Sequence, residues 1–191
     1  MAEITVLASG QGTNLAAIVK SGIKVSHVIT DNPDAGALNI ATDAGIFWSI
    51  IQKGSQSRES WGETLISVIG SPDLIVCAGF MRILPANVCK EYEDKIINLH
   101  PSLLPAYKGS TRAIQQAYED GSTEYGASIH YVTEVVDDGE VIAQEGFQVE
   151  PDHNYTLEEI EARVHEIEHR LLPETINDIL YEYTTRSSGF Y

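Results

Sequence analysis

Short unbroken apolar runs alternate along this chain with longer stretches in which apolar residues recur every three or four positions. The unbroken runs predict strands over Ile4–Ser9, Lys24–Thr30, Ile46–Ile51, Pro72–Gly79 and Lys95–His100. Helices are predicted over Asn14–Gly22, Ala35–Gly45 and Ser57–Gly70, with Gly22 as a stop and Ser57 as an N-cap. Cys89 falls on a further helical stretch. Strands that alternate with helices imply βαβ units and a parallel sheet. Strands covered on both faces need no polar side, which explains a run such as Leu74-Ile75-Val76-Cys77.

The pattern changes after about residue 122. Gly126–Glu150 reads as two strands joined by the turn Val135–Glu140. A long helix is expected from about Thr156 to Tyr183, opened by the capping-box spacing of Thr156 and Glu159. Leu157, Ile160, Val164, Ile167 and Leu171 mark its buried stripe, Pro173 is a point where it would kink or divide, and the last residues form a loose tail. The expected fold is therefore α/β. A Rossmann-like, mostly parallel sheet carries helices on both faces, an antiparallel extension in the C-terminal half and a long C-terminal helix. Residues 1–185 form one domain, with 1–100 as a nucleotide-binding-like half, 101–185 as the second half and 186–191 as the tail.

Composition narrows the possibilities. The 191 residues are 43% hydrophobic, no stretch approaches a membrane span, and the first residues lack a signal-peptide pattern. The only cysteines are Cys77, in an apolar strand, and Cys89, and this usage fits a reducing, cytoplasmic compartment. The net charge of −16 argues against nucleic acid and anionic membranes as partners. The acid is uneven, with sixteen Asp or Glu against two Arg between Glu119 and Glu174. An anionic ligand must then be held by local devices rather than by the overall field.

Two places carry candidate chemistry. Ala8–Asn14 (ASGQGTN) joins the first strand to the first helix, and small residues there let backbone N–H groups approach a phosphate. It could equally be a tight turn capped by Thr13. Two glycines, with Asp31 standing where a ribose-binding acid would, also resemble part of a dinucleotide fingerprint, but Leu15 replaces the third glycine. The second place is Ile97–Gly109 (INLHPSLLPAYKG). Asn98 and His100 are two apart on a strand, so they share a face at its carboxyl end, with Pro101 and Pro105 restricting the loop behind them. Both can donate to a developing oxyanion. They could also serve structure, Asn98 by satisfying backbone and His100 by capping a helix. Asp137 and Asp138 are candidate partners that would raise the pKa of His100, although Asp-Asp-Gly is also an ordinary turn.

Taken together, SGQGTN, AGFMRIL, INLHPSLLP followed by KG, and the run from His130 to Gln144 resemble the phosphoribosylglycinamide (glycinamide ribonucleotide) formyltransferase family of the folate-dependent formyltransferase superfamily. The resemblance spans Ile4 to about Leu180. It implies formyl transfer from 10-formyltetrahydrofolate, a co-substrate, to the primary amine of glycinamide ribonucleotide in purine biosynthesis, with no metal. It implies Asn98, His100 and Asp137 as the catalytic trio, with Asp137 holding His100 cationic and organising a water. Asp137 is matched seven residues after His130 and two before Gly139, and Asp138 replaces a frequent glycine. For the ribonucleotide, the resemblance implies Gly12, Thr13, Asn14, His165 and Glu168. For the folate, it implies Arg58, Met81, Arg82, Ile83, Leu84, Asn98, Thr133, Glu134, Val135, Val136 and Asp137. His130 matches a family position and is read as structural. Thr111-Arg112 departs from the family pattern after Lys108-Gly109.

The partners implied are small molecules, with a monomer or homodimer as the working form. Rival readings are a 10-formyltetrahydrofolate hydrolase, which normally has an extra N-terminal domain, and methionyl-tRNA formyltransferase, which normally has an extra C-terminal one. A nicotinamide-dependent oxidoreductase and a non-catalytic nucleotide-binding module stand outside the superfamily.

Overall fold

The computed structural model describes residues 2–150 and 155–188. The elements follow in the order β1 (Ile4–Leu7), α1 (Thr13–Lys20), β2 (Val25–Thr30), α2 (Ala37–Asp43), β3 (Phe47–Ile50), α3 (Arg58–Ile69), β4 (Leu74–Cys77), α4 (Ala86–Glu91), β5 (Ile96–His100), α5 (Ala113–Glu119), β6 (Glu124–Tyr131), β7 (Val141–Gln148) and α6 (Leu157–Ser188). Seven strands make one sheet in the order β3-β2-β1-β4-β5-β6-β7. The first five are parallel, and β6 and β7 pair antiparallel with β5 and with each other. The predicted α/β class, the antiparallel extension and the long final helix are all present. Among the described residues no helix is long and apolar enough to cross a membrane.

Strand periodicity sorts the apolar side chains into two layers. Ile4, Val6, Leu74, Val76, Ile97 and Leu99 join one core with α1, α2 and α6, whereas Leu7, Ile75, Cys77 and Ile96 join the other with α3 and α4. The alternation carries on along β5. Asn98 and His100 therefore leave on the same face as Ile96, at the end where the parallel strands stop. The register of β5 with β6 sets His130 opposite Asn98 and Ser128 opposite His100.

The helix ends follow sequence in two cases. Ser57 accepts from the Ser60 N–H, and Thr156 and Glu159 exchange reciprocal bonds at the start of α6. Three expectations are corrected. The cap of α1 is Gly12, with φ 79°, rather than Thr13, which is the first helical residue and makes no side-chain cap bond. β3 is not a covered strand: it is a sheet edge, with Phe47 68% exposed. α6 passes Pro173 undivided and reaches Ser188, beyond Tyr183. The Thr185 hydroxyl bonds back to the Tyr181 and Glu182 carbonyls within this last stretch.

β6 and β7 meet closely where Gly126 faces Gly146, and a Cβ at Gly126 would lie 2.2 Å from the Glu145 carbonyl oxygen and 2.7 Å from the Leu103 side chain. Gly126→Ala is expected to cost about 1–3 kcal/mol, because backbone cannot yield as a flexible side chain can. A lowered urea midpoint with unchanged slope checks it.

Candidate active site

A cavity of about 350 Å³ opens beyond the carboxyl ends of β1, β4 and β5, where open α/β sheets place their ligands. Its walls bring together twelve of the residues singled out from sequence: Asn14, Met81, Arg82, Ile83, Leu84, Asn98, His100, Thr133, Val136, Asp137, His165 and Glu168. Five others are not on its lining: Gly12, Thr13, Arg58, Glu134 and Val135. Cys77 lines it, but burial pushes its thiol up to about 12, so it contributes an uncharged wall.

Asp137 is the centre of the polar cluster. One oxygen lies 3.4 Å from His100 Nδ1 and accepts from the Gly109 N–H at 2.9 Å; the other lies 3.3 Å from His130 Nε2. Its neighbour is excluded by geometry: the Asp137 side chain is 10% exposed, whereas Asp138 is 54% exposed and pairs with Lys108. Asp137 sits at φ 52° and Tyr107 at φ 55°, left-handed conformations that cost non-glycine residues about 1–3 kcal/mol. The surrounding bonds hold both turns in place.

His130 is the residue whose part in the site sequence reading missed. Its Nε2 lies 3.1 Å from Asn98 Nδ2, and its Nδ1 lies 2.8 Å from the Tyr131 carbonyl oxygen. With its proton on Nδ1, the ring donates to Tyr131 and accepts from Asn98. With a proton on Nε2, it donates to Asp137 instead. In the first of these tautomers Asn98 has one N–H directed at His130 and a second left for a ligand. Only the antiparallel register of β6 signals this contact.

The electrostatics correct one expectation. His100 is not held cationic in the free protein. Burial, the largest influence, pushes its pKa down, and Asp137 and the Tyr107 carbonyl, 3.2 Å from Nε2, oppose this without overcoming it. Asp137 moves the other way from its burial. Burial disfavours its charge, but the His130 hydrogen bond, the Gly109 N–H and the two imidazoles outweigh that and hold its pKa below the usual carboxylate range.

At the far end of the cavity Glu168 is buried and accepts from Asn14 Nδ2 at 3.4 Å and from His165 Nδ1 at 2.8 Å. That bond to Glu168 raises the His165 pKa. Asn14 Oδ1 is buried with no hydrogen-bond partner among the described residues. Gly12 has a packing reason for its identity, since a Cβ there would lie 2.7 Å from Ala37 Cα. The opposite wall is apolar and open, with Met81 64% and Ile83 56% exposed. Arg58 stands behind it, donating to the Leu84 carbonyl at 2.9 Å. Ser110 and Thr111 also line the cavity, whereas Arg112 turns to Gln115 and Glu119. Asp31, the sequence candidate for a ribose acid, is not on the cavity lining and accepts instead from Ser9 and Arg82.

The sequence pattern of the formyl transferase family matches residues 2–176. Phosphoribosylglycinamide formyltransferase of Escherichia coli is 39% identical over 184 residues, covering 92% of this chain and 85% of its own length. The enzyme of that name from Haemophilus influenzae is 37% identical over 187 residues, with 92% and 86% covered. Among solved structures, phosphoribosylglycinamide formyltransferase from Streptococcus pneumoniae superposes with a TM-score of 0.88 at 32% identity, covering 94% of this chain and 99% of that one. The Coxiella burnetii structure gives 0.84 at 40% identity, with 91% and 84% covered.

Because burial lowers the pKa of His100, the unfolded chain binds the extra proton first. The stabilisation from keeping this ring neutral is complete above the unfolded value of about 6.5 and is lost as pH falls below it towards the folded value. Asp137→Asn removes an influence that raises the pKa, so the His100 ring is expected to titrate at still lower pH. Ring-resonance NMR titration of both proteins checks the order.

Proposed function

The chain belongs to the formyl transferase family, and on that premise we propose that it transfers a formyl group from 10-formyltetrahydrofolate to the primary amine of glycinamide ribonucleotide. The observation that carries this reading is the convergence of Asn98, His100 and Asp137 on one cavity with an apolar wall at one end and Asn14, His165 and Glu168 at the other. A flat reduced pteridine suits the wall built by Met81–Leu84 with Thr133 and Val136. The ribonucleotide lies at the other end. Its ribose hydroxyls donate to Glu168, and the start of α1 at Gly12-Thr13-Asn14 takes the phosphate.

The amine lone pair attacks the formyl carbon, the C–N bond forms and the carbonyl π pair becomes an oxyanion. The free N–H of Asn98 and the His100 ring donate to that charge. His100 is neutral at rest, and this is useful. A full negative charge beside Nε2 competes with the Tyr107 carbonyl and draws the pKa of the ring upward, so the interaction strengthens as the transition state forms. Asp137 stays ionised throughout, because its pKa lies low; it supports positive charge on His100 and orients a water. The attacking nitrogen gives up a proton, the folate N10 gains one as its bond to the formyl carbon breaks, and the formamide and tetrahydrofolate leave.

Asn98→Ala and Asp137→Asn are expected to fold and to lose about 10²–10³ in kcat, the usual cost of one oxyanion-stabilising group. Steady-state assays with and without glycinamide ribonucleotide test both the roles and the reaction. Tetrahydrofolate appearing only with the amine supports transfer, and its appearance from water alone points to a hydrolase. Wild-type turnover in either variant removes that residue from the mechanism.

A further inference from the structure

We propose that Asp31, acting with Ser9, is a positioning residue for the loop Gly79–Leu84, which builds the donor end of the cavity; the role rests on the formyl-transfer reading above. This loop has no regular secondary structure; Phe80 and Leu84 pack into the core beside α3 and α4, but its apolar tips Met81 and Ile83 stand in solvent, so burial does not fix the stretch that carries them. Hydrogen bonds do. The Met81 N–H donates to Ser9 Oγ at 2.9 Å, and Ser9 Oγ donates to Asp31 Oδ1 at 2.5 Å. Arg82 Nε donates to the other Asp31 oxygen at 2.7 Å. Ser9 also donates its backbone N–H to the Gly79 carbonyl at 3.1 Å, and its own carbonyl accepts from Asn32 Nδ2 at 3.0 Å.

The bracket thus ties the ends of three neighbouring parallel strands together, Ser9 after β1, Asp31 after β2 and the loop after β4. The ion pair is asymmetric: the Asp31 side chain is 7% exposed and that of Arg82 is 56% exposed. The carboxylate is the fixed post, and the guanidinium and the loop are what it holds. Two acceptor oxygens and no donor are required, since a hydroxyl arrives on one side and an N–H on the other. An amide of the same shape would turn its own N–H towards one of those donors. Asp31 touches no member of the Asn98–His100–Asp137 cluster, so its effect should fall on donor binding and leave the chemical step alone.

Asp31→Asn and Ser9→Ala are compared with the unaltered protein in steady-state assays, varying 10-formyltetrahydrofolate and glycinamide ribonucleotide separately. Each variant is expected to raise the KM for the donor by about tenfold, equivalent to one weakened charge-assisted hydrogen bond, with the acceptor KM and kcat within about twofold of the original. Ser9→Ala removes only a hydroxyl and keeps the test valid if the buried Asp31 substitution impairs folding. An unchanged donor KM in Ser9→Ala, or a parallel change in kcat and both KM values, overturns the proposal and leaves a purely structural contact. Unaltered protein that shows no acceptor-dependent turnover sinks the transfer reading itself, and this inference with it.

Discussion

A half-buried carboxylate that must stay charged is the constraint around which this site is arranged. The Asp137 side chain is 10% exposed, and its oxygens are met from three separate parts of the chain: the Gly109 N–H in the loop after β5, His100 at the end of β5, and His130 on β6. The turn that carries it adopts φ 52° to reach them. Because those partners lie on different segments, the carboxylate also joins the segments. The left-handed Tyr107, whose carbonyl faces His100, and the Lys108–Asp138 pair lie in the same join.

The two histidines differ in the groups that face them. His100 faces acceptors at both nitrogens, yet burial keeps its pKa low, so a second proton is favoured only when further negative charge arrives. That is how an oxyanion stabiliser should behave if it is to act on the transition state more than on the substrate. His130 spends one nitrogen on backbone and shares the other between Asn98 and Asp137, which links the amide's orientation to the carboxylate. A second carboxylate-centred cluster, Ser9–Asp31–Arg82, lies at the other wall, where Met81 and Ile83 are exposed.

The acidic surface and the site are separate matters. Net charge of −16 does not hinder anionic ligands here, because the groups facing the cavity are mostly neutral donors and acceptors, a helix start, and Arg82. Asp137 and Glu168 are the exceptions. Glu168 is buried, has His165 and Asn14 as partners, and its position on α6 brings a helix from the end of the chain back to the loop at its beginning.

Strand period alone put Asn98 and His100 on one face, and alternation of apolar runs with helical stretches alone implied the parallel sheet, since both depend only on local geometry. The caps at Ser57 and Thr156 were legible for the same reason. The partners of those residues were not. His130 meets Asn98 because β6 pairs antiparallel in one register, and a shift by one residue would turn it to the other face. Asp137 rather than Asp138 faces the histidines because of a left-handed turn held by contacts from distant segments; spacing could only nominate it. The exposure of β3, the retreat of Arg58 behind the wall and the neutrality of His100 likewise follow from what surrounds each residue. Burial and distance between remote segments are properties of the folded chain, and no local pattern encodes them.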